Sequence, residues 1–136
     1  MRFDTKIGIV VRDDLAAWQR LNVTAFLASA VAARFPDVIG EPYEDASGNA
    51  YMAMFRQPVL VYEGDAEALA KAHAKVRARG MASAVYIEDM FKTGHDEANR
   101  GTVRAVTAEE MPLVGFSVHG PRNGVDKVLK GLRLHP

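Results

Sequence analysis

The chain has 136 residues, of which 49% are hydrophobic, so it is long enough to form one domain with a sizeable core. Seventeen Lys and Arg residues balance seventeen Asp and Glu residues, which excludes an overall positive field that collects nucleic acid or acidic lipid. Cysteine is absent, so disulfides, thiolate metal sites and a cysteine nucleophile are excluded. The apolar runs at 7–11 and 21–33 are too short for a signal peptide or a membrane span, respectively. We therefore expect a single domain over 1–136, a cytoplasmic location and no membrane partner.

Strand and helix patterns alternate from the start of the chain. KIGIVV at 6–11 is continuously apolar and β-branched, which predicts a strand buried on both faces. A helix is predicted over 17–35, ended by Pro36, and it carries no charge between Arg20 and Arg34. This long uncharged stretch indicates a helix that is buried on more than one side.

The second half continues the alternation. Three further strands are predicted, at 58–62, 82–88 and 111–120. Asp65 stands where a helix N-cap belongs, Gly80 ends that helix, and Pro121 precedes a last one. We therefore expect a three-layer α/β/α sandwich with a four-stranded, mainly parallel (mixed) sheet.

An insertion near 40–57 interrupts this pattern. It is rich in Gly, Pro, Asp and Asn, and SGN at 47–49 predicts the turn of a short hairpin. The insertion suits a lid over a ligand, a dimer contact or plain packing. The side chains that suggest these roles are Tyr43, Tyr51, Met52, Met54, Phe55 and Arg56.

The segment IEDMFKTGHDEANRG, 87–101, follows the third predicted strand. Ligands of open α/β sheets bind at the carboxyl ends of strands, so Asp89, Thr93 and His95 are candidate catalytic residues. In one interpretation His95 is a general base that Asp89 or Asp96 orients. In the other, Asp96 caps a short helix and His95 lies in the turn before it.

Polar side chains on the long helix are candidate ligand contacts. Asn22 and Ser29 are seven residues apart and share one stripe, with Thr24 nearby. If the stripe faces the Asp89 loop, it forms a small polar pocket for a neutral or amide-bearing ligand. Alternatively, each side chain bonds to nearby backbone.

Charged residues after the first strand have two interpretations. Arg12 and Asp14 either carry charge at the mouth of the same cleft, or pair with each other or cap the first helix. The histidines at 73, 95, 119 and 135 show no metal-ligand spacing, and no cofactor motif occurs, so no metal and no cofactor are expected. His73 shares a helix stripe with apolar residues, which favours a structural role.

Several segments resemble type 2 peptidyl-tRNA hydrolases, in the same order along the chain. They are VVRDDL (10–15), AHAKVRARGM (72–81), IEDMFKT (87–93) and VDKVLKGLRL (125–134). NVTAFLAS, the insertion and TGHDEANR are similar instead to an uncharacterised bacterial family that shares this fold and is known mostly as a domain of unknown function. The resemblance implies a single hydrolase-like domain that covers nearly the whole chain, apart from the insertion.

The hydrolase family uses a lysine and a glutamine–histidine pair on the first helix, together with an aspartate and a threonine after the third strand. Asp89 and Thr93 occupy matching positions. The lysine position holds Leu21 or Asn22, depending on a one-residue gap. The glutamine and histidine positions hold Ala25 or Phe26, and Ala28 or Ser29. The positive side chain is therefore missing, which argues against peptidyl-tRNA hydrolysis.

Two classes of function follow. The first is a small-ligand-binding or regulatory module without the catalytic lysine, and the second is a hydrolase of an ester or amide that uses Asp89 or His95 as base and Asn22 as oxyanion donor. Binding of tRNA, through Lys127, Lys130 and Arg133, is a weaker expectation. A homodimer through the long helix or the insertion is a further hypothesis.

Overall fold

The computed structural model describes residues 2–136. Strand β1 (Thr5–Arg12) leads into helix α1 (Ala17–Arg34), and the short strands β2 (Tyr43–Glu44) and β3 (Ala50–Tyr51) follow. The remaining elements are β4 (Val59–Gly64), α2 (Ala66–Ala78), β5 (Ser83–Ile87), α3 (Asp96–Arg104), β6 (Leu113–Pro121), α4 (Arg122–Leu129) and β7 (Arg133–Leu134). Short 3-10 helices lie at Pro36–Val38 and Glu88–Lys92. Within this described range, no helix has the length and apolarity to cross a membrane.

The main sheet has the strand order β5-β6-β1-β4-β7 within the described residues. Strands β1 and β4 pair in parallel, whereas β1–β6, β5–β6 and β4–β7 are antiparallel. The α/β class and the mixed sheet are confirmed. The prediction of four mainly parallel strands is wrong in two respects, because β7 adds a fifth strand and a single neighbouring pair is parallel. Most pairs are antiparallel because β6 lies between β1 and β5 and runs opposite to both. The strand β7 was not predicted because two residues are too few to show a periodic pattern.

Helices cover both faces of this sheet. Helix α1 packs on the face that carries Ile7, Ile9 and Val11, while α2 and α4 pack on the opposite face. The buried side chains of the second face are Val10, Leu69, Ala72, Val76, Ile87, Leu113, Phe116, Val118, Val125, Val128 and Leu129. Alternate residues of β1 therefore enter separate cores, which explains its continuous apolar run.

The insertion forms the expected hairpin, in which β2 pairs with β3. Its turn depends on Asp45, whose carboxylate accepts hydrogen bonds from the Tyr51 hydroxyl (2.6 Å) and the backbone amides of Ser47 and Asn49. The Tyr51 hydrogen bond contributes most to holding the pKa of this carboxyl far below its usual range. Phe55, at the base of the hairpin, packs against the core. The insertion is thus a closed turn on an anchored stem.

Gly115 sets the distance between α1 and the sheet. A methyl group at this position lies 2.8 Å from the Val10 carbonyl oxygen and 2.8 Å from Val23 Cγ1, and 3.0 Å from Leu27 Cδ1. Separations below 3.0 Å are repulsive for carbon atoms, so only glycine lets the helix approach β6 this closely. The sequence alone shows this glycine only as an interruption in an apolar strand.

We expect Gly115→Ala to lower the free energy of unfolding by about 2 kcal/mol, because overpacking outweighs the small gain that alanine brings to a strand. Gly101→Ala in α3 is the control, since a methyl group there meets open space. Gly101→Ala should raise the free energy of unfolding by about 1 kcal/mol, because alanine favours the helix more than glycine does. Urea denaturation measures both. Equal stabilities of Gly115→Ala and the wild type would contradict the close approach of α1.

His73 is a buried histidine on α2. It is 5% exposed, its Nε2 lies 3.1 Å from the Ser83 hydroxyl, and its ring centroid is 5.1 Å from that of Phe116. Burial lowers the pKa of the imidazole, and the positive charge of Arg77 lowers it further. This environment gives His73 a packing role.

The lowered pKa of His73 predicts acid sensitivity. The unfolded chain binds the proton more tightly, so the stabilisation is complete above the ordinary value of 6.5 and is lost as pH falls through the lower folded value. We expect the unfolding free energy to decrease below neutral pH with a smaller slope in His73→Gln than in the wild type. Carboxylates titrate in both proteins and cancel in the comparison. Identical slopes would show that His73 does not contribute.

Candidate functional site

A cleft of about 340 Å³ opens at the carboxyl ends of β1 and β5. One wall is the first half of α1, and the other is the 3-10 helix and loop that follow β5. The lining residues are Trp18, Asn22, Phe26, Tyr86, Met90, Phe91, Thr93, Gly94, His95, Asp96 and Asn99. The position at strand carboxyl ends is where open α/β sheets place ligands.

Four aromatic rings form a continuous apolar wall of the cleft. The ring centroids of Trp18 and Phe91 are 6.0 Å apart, those of Phe91 and Tyr86 are 5.2 Å apart, and those of Tyr86 and Phe26 are 5.7 Å apart. Trp18 and Phe26 are 62% and 50% exposed. The outer contacts are edge to face and the Phe91–Tyr86 contact is tilted, and aromatic rings in such a cluster offer flat surfaces against which a planar group packs well.

Asn22 adds a polar group to this wall. It is half-buried and lies beside Tyr86. Burial raises the pKa of the Tyr86 hydroxyl, and the Asn22 amide opposes that shift. The amide and the phenol together supply donors and an acceptor without a formal charge.

Thr93 and Asn99 fix the shape of the loop. The Thr93 hydroxyl donates to the Met90 carbonyl oxygen (3.0 Å) and contacts Asn99 Oδ1. A hydroxyl has one proton, so Thr93 is occupied within the loop. Asn99 lines the same cleft and adds an uncharged amide to it.

His95 is the N-cap of α3, and the expectation that Asp96 caps this helix is wrong. The backbone amide of Ala98 donates to His95 Nδ1 at 3.2 Å. Asp96 is the first helical residue, and its carboxylate pairs with Arg100. The imidazole of His95 reaches the free Ala98 amide in the first turn, as the carboxylate of an aspartate N-cap would. Asp96 lies in the first turn itself, where its negative charge is favoured by the positive end of the helix dipole.

Arg12 and Asp14 lie outside the cleft lining. Arg12 Nε donates to Asp14 at 2.6 Å, and its guanidinium also binds the Glu88 carboxylate. Burial acts to lower the pKa of Arg12, but the two carboxylates outweigh it and raise the pKa. Arg12 and Asp14 therefore pair with each other, as the second interpretation of the sequence expected. The ion pairs tie the end of β1 to the segment that follows β5.

Three further candidates are also absent from the lining of the cleft. Thr24 donates to the Arg20 carbonyl oxygen (2.7 Å) and Ser29 to that of Phe26 (2.6 Å), so both bond locally along α1. Asp89 is exposed and forms neither a hydrogen bond nor an ion pair with any residue between 2 and 136. The structure thus brings together Asn22, Thr93 and His95.

The three basic C-terminal residues differ in whether they already pair with carboxylates. Arg133 binds Glu63 (2.8 Å) and Asp13 (3.4 Å), and the Glu63 hydrogen bond is the main cause of its raised pKa. Lys127 and Lys130 are exposed on and after α4. One of the three charges proposed to contact tRNA is therefore already neutralised by carboxylates.

The aromatic wall is what sequence reasoning missed. Trp18, Asn22 and Phe26 are four residues apart, a spacing that places them on one helix stripe, and this signal was present in the sequence. Tyr86 and Phe91 come from another segment, so their approach depends on the fold. Among the described residues, no three His, Asp or Glu side chains cluster closely enough to hold a metal ion.

These features define an α/β fold with a mixed sheet, helices on both faces and an aromatic cleft at the strand ends. The family model "Protein of unknown function (DUF2000)" matches residues 5–136, and the chain belongs to this family. It is also similar to the solved structure of Atu0240, a protein of unknown function from Agrobacterium tumefaciens strain C58. The two are 46% identical with a TM-score of 0.97, covering 99% of this chain and 100% of that chain. No curated protein matches the sequence.

Proposed function

We propose that the protein is a binding or regulatory module that holds a small, neutral, planar molecule in the cleft. The observation that carries this proposal is the lining itself, which combines four rings with uncharged hydrogen-bonding groups and includes no lysine or arginine. Asp96 is the acidic residue there, and Arg100 neutralises it. An aromatic amide matches both the flat apolar wall and the amides of Asn22 and Asn99.

The tautomer of His95 supports binding over catalysis. Its Nδ1 accepts a hydrogen bond from the Ala98 amide, so the proton of the neutral ring is on Nε2. This tautomer donates to a ligand at Nε2 and has no free lone pair there to remove a proton from water. His95 thus suits recognition of a carbonyl oxygen.

The alternative is a hydrolase of an ester or amide, with a fold like that of type 2 peptidyl-tRNA hydrolases. Its support is that His95 and Asn22 line the same cleft, where a base and an oxyanion donor are needed. Against it, Asp89 lies outside the lining, and the lysine position holds Leu21 or Asn22. Peptidyl-tRNA hydrolysis ranks third, because no cation in the cleft replaces that lysine.

The homodimer and the cytoplasmic location stay predictions. Leu21 is 72% exposed beside Trp18 on α1, and Met52 is 88% exposed on the hairpin. Exposed apolar side chains at two separate places suit a second copy of the chain. The hairpin stem precedes β4, at the end of the sheet opposite the cleft, so it does not form a lid over this cleft.

Binding of benzamide, with benzoate as its charged isostere, tests the proposal. Trp18 is the single tryptophan, so its fluorescence reports the cleft. We expect benzamide to change the fluorescence saturably and to bind more tightly than benzoate. Asn22→Leu should weaken binding about tenfold through one lost hydrogen bond. Thr24→Val, on the same helix, should not. Equal affinity of benzamide for the wild type and Asn22→Leu would refute the proposed site.

Release of peptide from peptidyl-tRNA tests the alternative. We expect the wild type to show no turnover above Asp89→Asn and His95→Ala, since His95 presents an N–H and Asp89 is outside the cleft. A p-nitrophenyl ester covers substrates with better leaving groups. Turnover of either substrate that His95→Ala abolishes would establish a hydrolase.

A further inference from the structure

A second cavity, of about 240 Å³, lies at the end of the sheet opposite the cleft. The end of α1, the start of β5 and the second half of β6 border it, and it is partly open to solvent. Its lining residues are Ala30, Val31, Arg34, Phe35, Ala82, Ser83, Ala84, Ser117 and His119. The volume equals the share of about eight liquid water molecules, enough for a small organic molecule.

Two polar side chains at this cavity lack hydrogen-bond partners. Ser117 is 1% exposed, and its hydroxyl has no partner within the part of the chain that the structure describes. Both ring nitrogens of His119, two residues along the same strand, are buried and equally unpartnered among residues 2–136. Buried polar groups in folded proteins are nearly always hydrogen-bonded, so two neighbours left unsatisfied indicate a missing partner.

Phe35 covers the imidazole. The ring centroids of Phe35 and His119 are 4.2 Å apart, which keeps the ring nitrogens from solvent. A neighbouring cavity of about 390 Å³ shares Arg34, Phe35 and His119 with the first. This adjoining space gives the phenyl ring room to turn away from His119.

Arg34 is the charged side chain of the first cavity. Its guanidinium carbon lies 5.2 Å from the centroid of the Phe35 ring, and within the described residues it forms no ion pair. The neighbouring cavity is lined by Arg34 and also by Arg56, Asp4 and Asp37. Its two positive and two negative formal charges sum to zero, unlike those of the first cavity. Burial lowers the pKa of His119, so the imidazole supplies a neutral donor and acceptor.

We propose that this cavity is a second ligand site, which takes a small carboxylic acid with a short apolar body. The carboxylate pairs with Arg34 and, once Phe35 turns aside, accepts hydrogen bonds from the Ser117 hydroxyl and the His119 imidazole. The apolar body packs against Ala30, Val31 and the start of β5. A guanidinium with no carboxylate partner among residues 2–136 suits a carboxylate ligand, and the two orphaned groups complete the polar contacts. The site is separate from the aromatic cleft and does not depend on it.

Titration with hexanoate, and with hexanamide as its neutral isostere, tests the proposal by NMR. We expect hexanoate to shift the imidazole signals of His119 and the amide of Ser117, while the Trp18 indole signal stays unchanged. Hexanamide should bind at least tenfold more weakly. Arg34→Gln should reduce hexanoate affinity at least tenfold. Arg79→Gln, an exposed arginine at the end of α2, is the matched control and should leave it unchanged.

Ser117→Ala separates a ligand site from an ordinary packing defect. Removal of an unsatisfied buried hydroxyl should raise the thermal midpoint of the free protein while weakening hexanoate binding about threefold. No shift at His119 in 10 mM hexanoate would overturn the proposal. So would a shift that Arg34→Gln leaves intact, or one confined to Trp18, which would assign the acid to the cleft.

Discussion

The contact of α1 with β6 over Gly115 is the constraint on which both binding regions depend. With no side chain at Gly115, Val23 and Leu27 pack directly on the strand. This contact lies in the middle of the helix, so it sets the position of both ends. The first half of α1 carries the wall of the cleft, and its end borders the second cavity. A shift of the helix away from the sheet would widen both.

The other wall of the cleft is fixed by hydrogen bonds within its own segment. Thr93 and Asn99 contact each other, and His95 holds the first turn of α3. Arg12 joins this segment to the end of β1 through Glu88. A loop constrained at three places loses little conformational entropy when a ligand binds, which favours a preformed site. The same hydrogen bonds occupy the Thr93 hydroxyl and His95 Nδ1, which a catalyst would need free.

Most of the fold was predictable because it follows from local patterns. Apolar runs predicted strands, Asp65 predicted a helix start that the Ala68 amide confirms at 2.8 Å, and Gly80 has the positive φ of +63° that ends α2. The direction of β6 and the presence of β7 depend on pairing between distant segments, which periodicity does not report. The sheet was therefore predicted as to type but not as to strand number and pairing.

The site was predictable only in part, for a related reason. Asn22 was recognised as a polar residue on the long helix, and Thr93 and His95 as polar residues after the third predicted strand. All three line one cleft. Thr24 and Ser29 are chemically similar, but their hydroxyls reach a carbonyl one turn earlier, an alternative that sequence cannot rank. Tyr86 and Phe91 join Trp18 through tertiary packing. His119 and Ser117 are inward-facing residues of a strand, and their lack of partners is visible only in three dimensions.

The two regions differ electrostatically because they lie at opposite ends of one helix. The cleft borders the first half of α1, where the helix dipole is positive, and needs no basic side chain to hold a neutral molecule. The second cavity lies at the negative end, where the terminal carbonyl groups repel an anion and attract Arg34. A bare carboxylate must therefore compete with the helix for that guanidinium. Burial of an apolar body, at about 25 cal/mol per Å², offsets this competition, so a short-chain acid suits the cavity better than an inorganic anion.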